Sequence, residues 1–341
     1  MHFDTDGVYT LLYTAEDSCG NETIEERTVE VISYSTVLFT DGTFIINEKS
    51  TDRNANIALH GAVTNEYDPF DPNGATNVKK YIFSSAYQRP WDSQRESVKA
   101  VEIGSNIRPT STAYWFYAFT TCTSMDLDNL DTSAVTNMRR MFYDCYVLAS
   151  LDVTNFDTSL VTDMNYMFYD CYVLASLDVS NFNTSAVTDM SYMFSHCYVL
   201  TALDVTHFDT GEVTDMCEMF NYCQALASLD VTNFDTSKVT NMYKMFSYCQ
   251  ALTSLDVSSF NTSLVTDMTY MFRSCNVLTT IYASIDFVVT QVTNSSDMFE
   301  NMSTNLVGGA GTTWASSKPK DKTYARIDGG TSNPGYFTAK A

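Results

Sequence analysis

The sequence predicts a β-rich α/β solenoid, a right-handed array of about eight stacked turns between β-rich caps. Three observations lead to this prediction. A unit of 26 residues recurs along much of the chain, and every unit keeps the same apolar positions. The composition is also biased, with 22 Tyr, 21 Phe and 16 Met but only 13 Gly and 6 Pro in 341 residues, as expected when one unit rich in aromatic residues and methionine is repeated. A fixed period of this length is typical of repeat proteins.

The repeat is clearest in two consecutive units. Residues 145–170 read CYVLASLDVTNFDTSLVTDMNYMFYD, and residues 171–196 read CYVLASLDVSNFNTSAVTDMSYMFSH. Further units begin at Cys197, Cys223, Cys249 and Cys275. One unit alone buries too little apolar surface to fold, so we expect the turns to stack into one continuous core.

Each unit is expected to contain a short parallel strand and a short helical turn. In the L-D-V motif at 151–153 alternate side chains point to opposite sides, so Leu and Val face the core and Asp faces solvent. The segment from Asn165 to Cys171 has apolar residues at three-to-four spacing, which predicts a helical or 3-10 turn that closes each coil. One slice of core is expected to comprise Leu148, Leu151, Val153, Phe156, Val161, Met164, Met167 and Phe168.

The pattern decays at both ends, as it should where a turn has a neighbour on one side only. Degenerate L-D-V motifs stand at 101–103 and 125–127, and near the other end one residue is inserted before Phe287. We therefore assign 98–305 to the solenoid, 36–97 to a β-rich entry segment and 306–341 to a C-terminal cap. Short polar residues such as Asp157 and Asp163 are expected at the corners, where they bond the nearby backbone.

The motif L-D-V-[ST]-x-F-[DN]-T-[SG]-x-V-T-[DN]-M-x-x-M-F closely resembles the BspA-like leucine-rich repeats of bacterial surface proteins. This resemblance implies an extracellular repeat protein with a role in adhesion or host contact and without enzyme activity. Arrays of this kind also occur in phage proteins, so the bacterial cell surface and the surface of a phage virion both stay open as locations. The flanks at 36–97 and 306–341 are similar to the segments that surround such arrays.

A second resemblance covers residues 1–35. Segments at 7–10, 15–21 and 27–31 are similar to the last strands of Ig-like or HYR-type adhesion modules. Three strands are too few for such a sandwich. We therefore expect that the sequence is a piece of a longer protein or that these strands pair with something else.

Composition excludes several functions. Lysine and arginine number 19 against 41 aspartate and glutamate, a net charge of −22 that repels nucleic acid. No apolar run approaches the roughly 18 residues of a membrane span. The nine cysteines and four histidines show no metal-site spacing. The cysteine that begins each unit is expected to be a buried free thiol. Cys217 is expected to be exposed, and His196 and His207 to be drifted surface residues.

The first candidate surface is an acidic column on the outer side of the L-D-V strands, with rungs about 5 Å apart. At this spacing each neighbouring pair of charges costs about 3 kcal/mol before salt screening. Solvation and hydrogen bonds from nearby Ser and Thr are one explanation, and a site for Ca²⁺ or for a cationic or hydroxyl-rich ligand is the other. No other cofactor is expected. The column comprises Glu102, Asp126, Asp152, Asp178, Asp204, Asp230 and Asp256.

The second candidate surface is rich in tyrosine and is expected on the convex side, around the predicted helical turns. Exposed tyrosine is a favoured anchor for partners. An extracellular protein or a glycan is therefore the expected ligand, and neutral drift is the alternative for these positions. A spacer or decoration module without a specific ligand is the competing function. The candidate tyrosines are Tyr146, Tyr166, Tyr172, Tyr192, Tyr198 and Tyr270.

Overall fold

The computed structural model describes residues 7–16, 22–31, 34–39, 43–48, 63–67, 92–104 and 107–340. In these ranges it has ten strands, three 3-10 turns and no α-helix. The 3-10 turns span Asp92–Ser97, Lys322–Tyr324 and Gly330–Ser332. The strands are β1 (Gly7–Glu16), β2 (Glu22–Val31), β3 (Tyr34–Phe39), β4 (Thr43–Glu48), β5 (Val63–Tyr67), β6 (Ala100–Ile103), β7 (Ser124–Asp126), β8 (Ser254–Asp256), β9 (Thr280–Ala283) and β10 (Phe337–Ala339).

The N-terminal strands form two sheets. β1 and β2 pair antiparallel with each other, and β1 is one continuous strand where the sequence suggested two. β3 lies between β5 and β4 and is antiparallel to both, while β4 is parallel to β6 and β6 is parallel to β7. The sheet order is therefore β5-β3-β4-β6-β7. Because β6 and β7 belong to the first repeats, the array begins on the edge of the entry sheet.

The turns of the array stack in constant register. One corner residue of each unit forms a parallel bridge with its counterpart in the next unit, along the series Asn137, Asp163, Asp189, Asp215, Asn241, Asp267 and Asn294. These side chains also bond the local backbone, as expected, and the Asn165 N–H donates to Asp163 Oδ1 at 3.0 Å. The last bridge, from Asp267 to Asn294, spans 27 residues instead of 26, which confirms the predicted insertion.

The L-D-V motifs are not strands in the middle of the array, contrary to the prediction. Strands occur at these motifs only near its ends, in β6, β7, β8 and β9, and residues 127–253 contain none. The inter-turn hydrogen bonds lie instead in the segment that was expected to be helical. There the N–H groups of Met138, Arg140, Phe142 and Asp144 donate to carbonyl oxygens of the next turn at 2.9–3.0 Å. We call these bonds and their 26-residue equivalents the backbone ladder.

Left-handed residues explain why this segment forms a ladder and not a helix. Arg140 has φ 54° and Asp144 has φ 61°, and the equivalent residues of the following turn, Tyr166 and Asp170, have φ 58° and 60°. Positive φ at these two positions interrupts the helical path, and every second N–H from Met138 to Asp144 donates to the next turn. A left-handed non-glycine residue costs roughly 1–2 kcal/mol. The inter-turn hydrogen bonds that this conformation permits offset that cost.

On the L-D-V side, side chains bridge the turns where a backbone ladder is missing. Asn155 Nδ2 donates to the Leu127 carbonyl oxygen at 3.0 Å, and Asn181 Nδ2 donates to that of Thr154 at 2.8 Å. His207 occupies the same repeat position, and its Nε2 lies 2.8 Å from the Val179 carbonyl oxygen. His207 is therefore a bridging residue and not merely a drifted one. On this side of the array, side chains therefore span the gap between successive turns.

The predicted core is confirmed. Every member of the expected slice from Leu148 to Phe168 is buried, while Asp152 faces solvent. One phenylalanine per turn stacks on its counterpart through the centre of the array, with Phe142 and Phe168 rings 5.5 Å apart and nearly parallel. Phe168 and Phe194 follow at 5.7 Å. A buried threonine adds polar contacts between turns, since Thr158 Oγ1 donates to the Asn183 carbonyl oxygen at 2.9 Å.

The eight cysteines that the structure describes are free and buried. In the repeat column each Sγ–H donates to a phenylalanine carbonyl oxygen of the preceding turn, for example Cys171 to Phe142 at 3.3 Å. Burial raises the pKa of seven of these thiols, to about 12 for Cys223. Cys217 was expected to be exposed, but it is buried as well, because the segment around it lies in the backbone ladder. Cys19 lies outside the described residues.

These thiols should be inert in the native protein. A pKa near 12 in place of 9.0 lowers the thiolate fraction at pH 8 by about 1000-fold. We expect iodoacetamide to leave the eight described cysteines unmodified until denaturant is added, as measured by peptide mass spectrometry. Rapid native labelling at any residue of the repeat column would contradict this burial.

A buried carboxylate organises the C-terminal segment, and β10 adds parallel to β9 beside it. Asp328 accepts hydrogen bonds from the N–H groups of Ala310, Thr312 and Gly330 at 2.8–2.9 Å, and from the Thr312 hydroxyl at 2.7 Å. Burial opposes ionisation of Asp328, but these bonds hold its pKa below the usual value. The adjacent Tyr336 and Phe337 are fully buried, so the segment closes the core at the end of the array.

Candidate functional site

The backbone ladder carries a surface of stacked tyrosines. Because the ladder keeps adjacent turns in register, side chains 26 residues apart lie face to face. Ring centroids are 4.7 Å apart for Tyr146 and Tyr172, and 4.1 Å apart for Tyr166 and Tyr192. We call this surface the tyrosine face, and its members are Tyr114, Tyr117, Tyr143, Tyr146, Tyr166, Tyr169, Tyr172, Tyr192, Tyr198, Tyr222, Tyr248 and Tyr270.

Stacking determines which part of each tyrosine a ligand could reach. The rings cover one another's faces along the axis, with Tyr143 and Tyr169 at 4.7 Å and 13°. The side chains are half-buried except for that of Tyr114, which is buried, so ligands reach the ring edges and not the ring faces. Burial raises the pKa of Tyr143 and Tyr172 above the usual value, so these phenols stay protonated. The face therefore offers regularly spaced protonated hydroxyl groups, and a hydroxyl that already donates within the protein, as that of Tyr172 does to Asp170, can still accept a hydrogen bond.

Five of the six candidate tyrosines lie together and one does not. Tyr146, Tyr172 and Tyr198 form one stack on three successive turns, with Tyr172 and Tyr198 at 4.9 Å. Tyr166 and Tyr192 form the neighbouring stack. Tyr270 occupies the same repeat position as this pair, but Glu218 and Lys244 stand between them, joined by an ion pair of 3.0 Å. The tyrosine cluster is thus concentrated in the earlier turns.

Two carboxylates and a histidine lie between the tyrosine stacks, a group that sequence reasoning missed. Asp144, Asp170 and His196 occupy one repeat position on three successive turns. Asp144 is hydrogen-bonded to Asp170, and His196 Nδ1 lies 2.5 Å from Asp170 Oδ1. Tyr172 donates its hydroxyl hydrogen to Asp170 Oδ2 at 3.1 Å. His196 is therefore not a drifted surface residue, and its shared repeat position with two acids was the signal that could have revealed it.

The environment of Asp144 favours its protonated form. Burial is the main cause, the charge of Asp170 adds to it, and Arg95 opposes it. Together they raise the pKa of Asp144 to about 7. A neutral Asp144 can donate a hydrogen bond to Asp170, which explains how two acidic side chains share one site.

Stability should consequently fall as pH rises from 5 to 8. The folded state holds a proton on Asp144 up to about pH 7, whereas the unfolded chain releases it near pH 4. Asp144→Asn should remove about 1 kcal/mol of this loss, a value reduced for solvent screening. Urea unfolding at both pH values measures it. Asp157→Asn is the control, because it changes an exposed acid on the same array and should show the wild-type difference in the free energy of unfolding between pH 5 and pH 8. An unchanged difference in Asp144→Asn would contradict the assignment.

The acidic column lies on the other side of the array, where its rungs bond their own neighbours. Asp152 Oδ1 accepts the N–H and the hydroxyl of Thr154 at 2.9 and 2.6 Å. These bonds lower the pKa of Asp152 below the usual value, the hydroxyl contributing most. The same arrangement recurs at Asp178, Asp204, Asp230 and Asp256. One carboxylate oxygen of each rung is thus used locally.

Two features border this column. A shallow open groove runs between turns and is lined by Ser150, Asp152, Ser176 and Asp178 among others. At the far end Lys340 contacts Asp256 Oδ2 and covers the last rung. In the ranges that the structure describes, no group of three or more His, Cys, Asp or Glu side chains could hold a metal ion. The Ca²⁺ site stays a prediction, as do the site residues on both surfaces.

Comparison with known proteins identifies the repeats. A family model described as "Mycoplasma protein of unknown function, DUF285" matches residues 110–203 and 198–308, which together are more than half of the chain. The chain belongs to this family. The two DUF285 matches cover the regular units, which confirms the expected repeat family, and they leave residues 1–109 unmatched. The Ig-like resemblance of residues 1–35 and the four domain boundaries therefore stay predictions.

Two further comparisons add little to the DUF285 assignment. A leucine-rich repeat protein from Eubacterium ventriosum is 15% identical over 84% of this chain and 96% of that chain, with a TM-score of 0.20. A similarity that low carries no argument about the fold, which rests on the stacking described above. No curated protein matches. Within the described ranges, no helix has the length and apolar character needed to cross a bilayer. Membership of the DUF285 repeat family favours a binding module over an enzyme.

Proposed function

We propose that the chain is a non-enzymatic module of an extracellular protein that binds a protein or glycan partner through its tyrosine face. The observation that carries this proposal is the stacking of tyrosines in register on a hydrogen-bonded ladder. Tyrosine offers a large contact area at a small entropic cost, and rings already fixed by stacking lose little further freedom on binding. The proposed contacts are Tyr146, Tyr172, Tyr198, Tyr166 and Tyr192, with Tyr270 as a separate outer contact.

The proposed location is a bacterial cell surface, with a phage virion surface as the alternative. Support for it comes from the BspA-like resemblance of the repeats, which implies adhesion or host contact. The genes that lie beside this one in the genome distinguish the two locations, because the genes for virion structural proteins lie together. Genes for cell-wall anchoring beside it would favour the bacterial surface.

A stiff spacer is the second candidate function. It is favoured by the continuity of hydrogen bonding from the entry sheet through the ladder to β8, β9 and β10. A spacer needs rigidity but no ligand, so its tyrosines could be replaced without loss of function. The acidic column is the rival binding surface, for Ca²⁺ or for a cationic ligand, and an unchanged thermal midpoint after adding Ca²⁺ at low salt would exclude the metal.

The test replaces one surface at a time on the same three turns. Tyr146→Ser, Tyr172→Ser and Tyr198→Ser are combined in one variant, and Asp152→Asn, Asp178→Asn and Asp204→Asn in the control. Both are compared with the full chain on a glycan array and on a panel of purified extracellular-matrix proteins, after circular dichroism has shown that they fold. Loss of binding in the tyrosine variant alone supports the proposal. Loss in the control alone transfers the function to the acidic column, and no binding by the wild type favours the spacer.

A further inference from the structure

Positive charge is nearly absent from the middle of the chain. Between Arg108 and Lys238 the only lysine or arginine residues are Arg139 and Arg140, which are adjacent. Both lie in the backbone ladder, at the edge of the tyrosine face. Arg140 occupies the repeat position that holds Tyr166 and Tyr192 in the next two turns.

Aromatic rings hold the Arg140 guanidinium in place. Its central carbon lies 4.5 Å from the Tyr166 ring centroid, 5.3 Å from that of Tyr143 and 5.7 Å from that of Tyr114. Contacts of a cation with ring faces at these distances are attractive and fix the plane of the guanidinium. The group is therefore oriented before any ligand arrives.

The Nε donors of these two arginines nevertheless lack acceptors, although the charge of Arg139 acts on the nearby Asp163 carboxylate. The Nε atoms of Arg139 and Arg140 are both buried without a hydrogen-bond partner in the described part of the chain. Arg273, which also stacks on a tyrosine ring, has a buried Nε without a partner too, whereas Lys238 lies 2.6 Å from Glu212 and Arg108 lies 3.2 Å from Asp131. Leaving a charged donor unpaired is costly, and this chain has carboxylates in excess. Such orphaned donors point to an acceptor that the protein itself does not supply.

A carboxylate is the anion whose planar fork matches a guanidinium. The groups around Arg140 indicate which kind of molecule bears this carboxylate. Tyrosine hydroxyl groups beside Arg140 suit a hydroxyl-rich ring. The local backbone groups are already used, since the Arg140 N–H donates to the Asn165 carbonyl oxygen and the Arg139 carbonyl accepts from the Tyr114 N–H. An acidic peptide would bring N–H and carbonyl groups that find no partners here.

We propose that Arg140, with Arg139 beside it, binds the carboxylate of an acidic sugar, a uronic or sialic acid residue of a glycan lying on the tyrosine face. This inference rests on the proposed function, because it places the glycan on the surface proposed for binding. The net charge of −22 opposes an approaching anion, but salt at 0.15 M screens that field beyond about 8 Å. Recognition is therefore local and of modest affinity.

The test titrates the full chain with glucuronate, galacturonate and N-acetylneuraminate, each compared with its methyl ester, by NMR chemical-shift perturbation. We expect one of the acids to bind and its ester to bind at least 10-fold more weakly. The double variant Arg139→Gln with Arg140→Gln should lose binding by about 10–100-fold. Arg140→Lys keeps the charge without the fork and should lose less.

Arg108→Gln is the matched control, since it removes one exposed cation outside the tyrosine face and should bind as the wild type does. Equal affinity for acid and ester, equal binding by the double variant, or preference for a triglutamate peptide would each overturn the inference. The proposed function is scored separately, on neutral glycans and proteins. If those ligands bind the wild type and the double variant alike, the arginine site is wrong while the tyrosine face keeps its role. If none of the three acids binds, the inference also fails.

Discussion

Replacing Phe194 with alanine is expected to destabilise the array by about 3–5 kcal/mol. The side chain is fully buried and stacks between Phe168 at 5.7 Å and Phe220 at 5.9 Å, so its removal leaves a cavity that both neighbouring turns border. Collapse around the cavity is resisted because the backbone ladder fixes the distance between those turns. Unfolding in urea, followed by circular dichroism and by tyrosine fluorescence, measures the loss.

Tyr192→Ala is the matched control for this substitution. Tyr192 lies in the same turn and also stacks on its neighbour, with Tyr166 at 4.1 Å, but its side chain is only half-buried. We expect a cost of about 1–2 kcal/mol, because less apolar surface is lost and no closed cavity forms. Equal costs for the two variants would mean that the tyrosine face is part of the core and not a surface. In a repeat protein the two probes can also diverge, which would show that turns unfold separately.

Replacing Asp328 with alanine is the second large effect, with an expected cost of about 3–5 kcal/mol. The change leaves the N–H groups of Ala310, Thr312 and Gly330 without an acceptor inside the C-terminal segment. The backbone packs closely around the carboxylate, since a Cβ at Gly308 would lie 2.3 Å from the Gly335 carbonyl oxygen and 2.9 Å from Asp328 Oδ2. Detachment of this segment would expose Tyr336 and Phe337.

Because Asp328 stabilises the C-terminal segment as a carboxylate, we expect this segment to lose stability at low pH. Because the folded-state pKa of Asp328 lies below its unfolded value, its stabilising contribution is fully present above about pH 4 and is lost as pH falls through the folded-state pKa. Limited proteolysis of the C-terminal segment at pH 7 and pH 3 reads this out. Asp321→Ala, which removes a half-buried capping acid nearby, should leave cleavage at pH 7 unchanged. If the C-terminal segment of Asp328→Ala resists proteolysis at pH 7 as well as that of the wild type does, the role assigned to Asp328 is contradicted.

The repeat pattern was sufficient to predict the core but not the path of the backbone. Leu151, Val153, Phe156 and their equivalents agree between units because each must fill the same space, so periodicity alone identifies them as buried. The side that carries the ladder could not be found this way. Glycine usually marks left-handed positions in a sequence, but here Arg140 and Tyr166 adopt the left-handed conformation.

The sequence indicated that one surface of the array is rich in tyrosine, but it did not reveal how these side chains are arranged. Variable tyrosines indicated the surface, but stacking in pairs depends on which units share a residue at one position. Asp144, Asp170 and His196 were passed over for the same reason, since each residue looks like drift until adjacent turns are superimposed. Burial of Cys217 likewise follows from the ladder and not from its own sequence context.

The ladder also has a polarity. In the ladder bonds the N–H belongs to the earlier turn and the carbonyl oxygen to the later one, as for Met138 and Asp163, so these peptide units point the same way, whereas the corner bond from the Thr162 N–H to the Thr136 carbonyl runs in the opposite direction. Their dipoles add, as in a helix, whereas those of ordinary strands alternate. The carbonyl end is the N-terminal end of the array, which therefore carries partial negative charge. Arg139 and Arg140 lie near that pole, and the ladder itself is electrically asymmetric along the axis of the array.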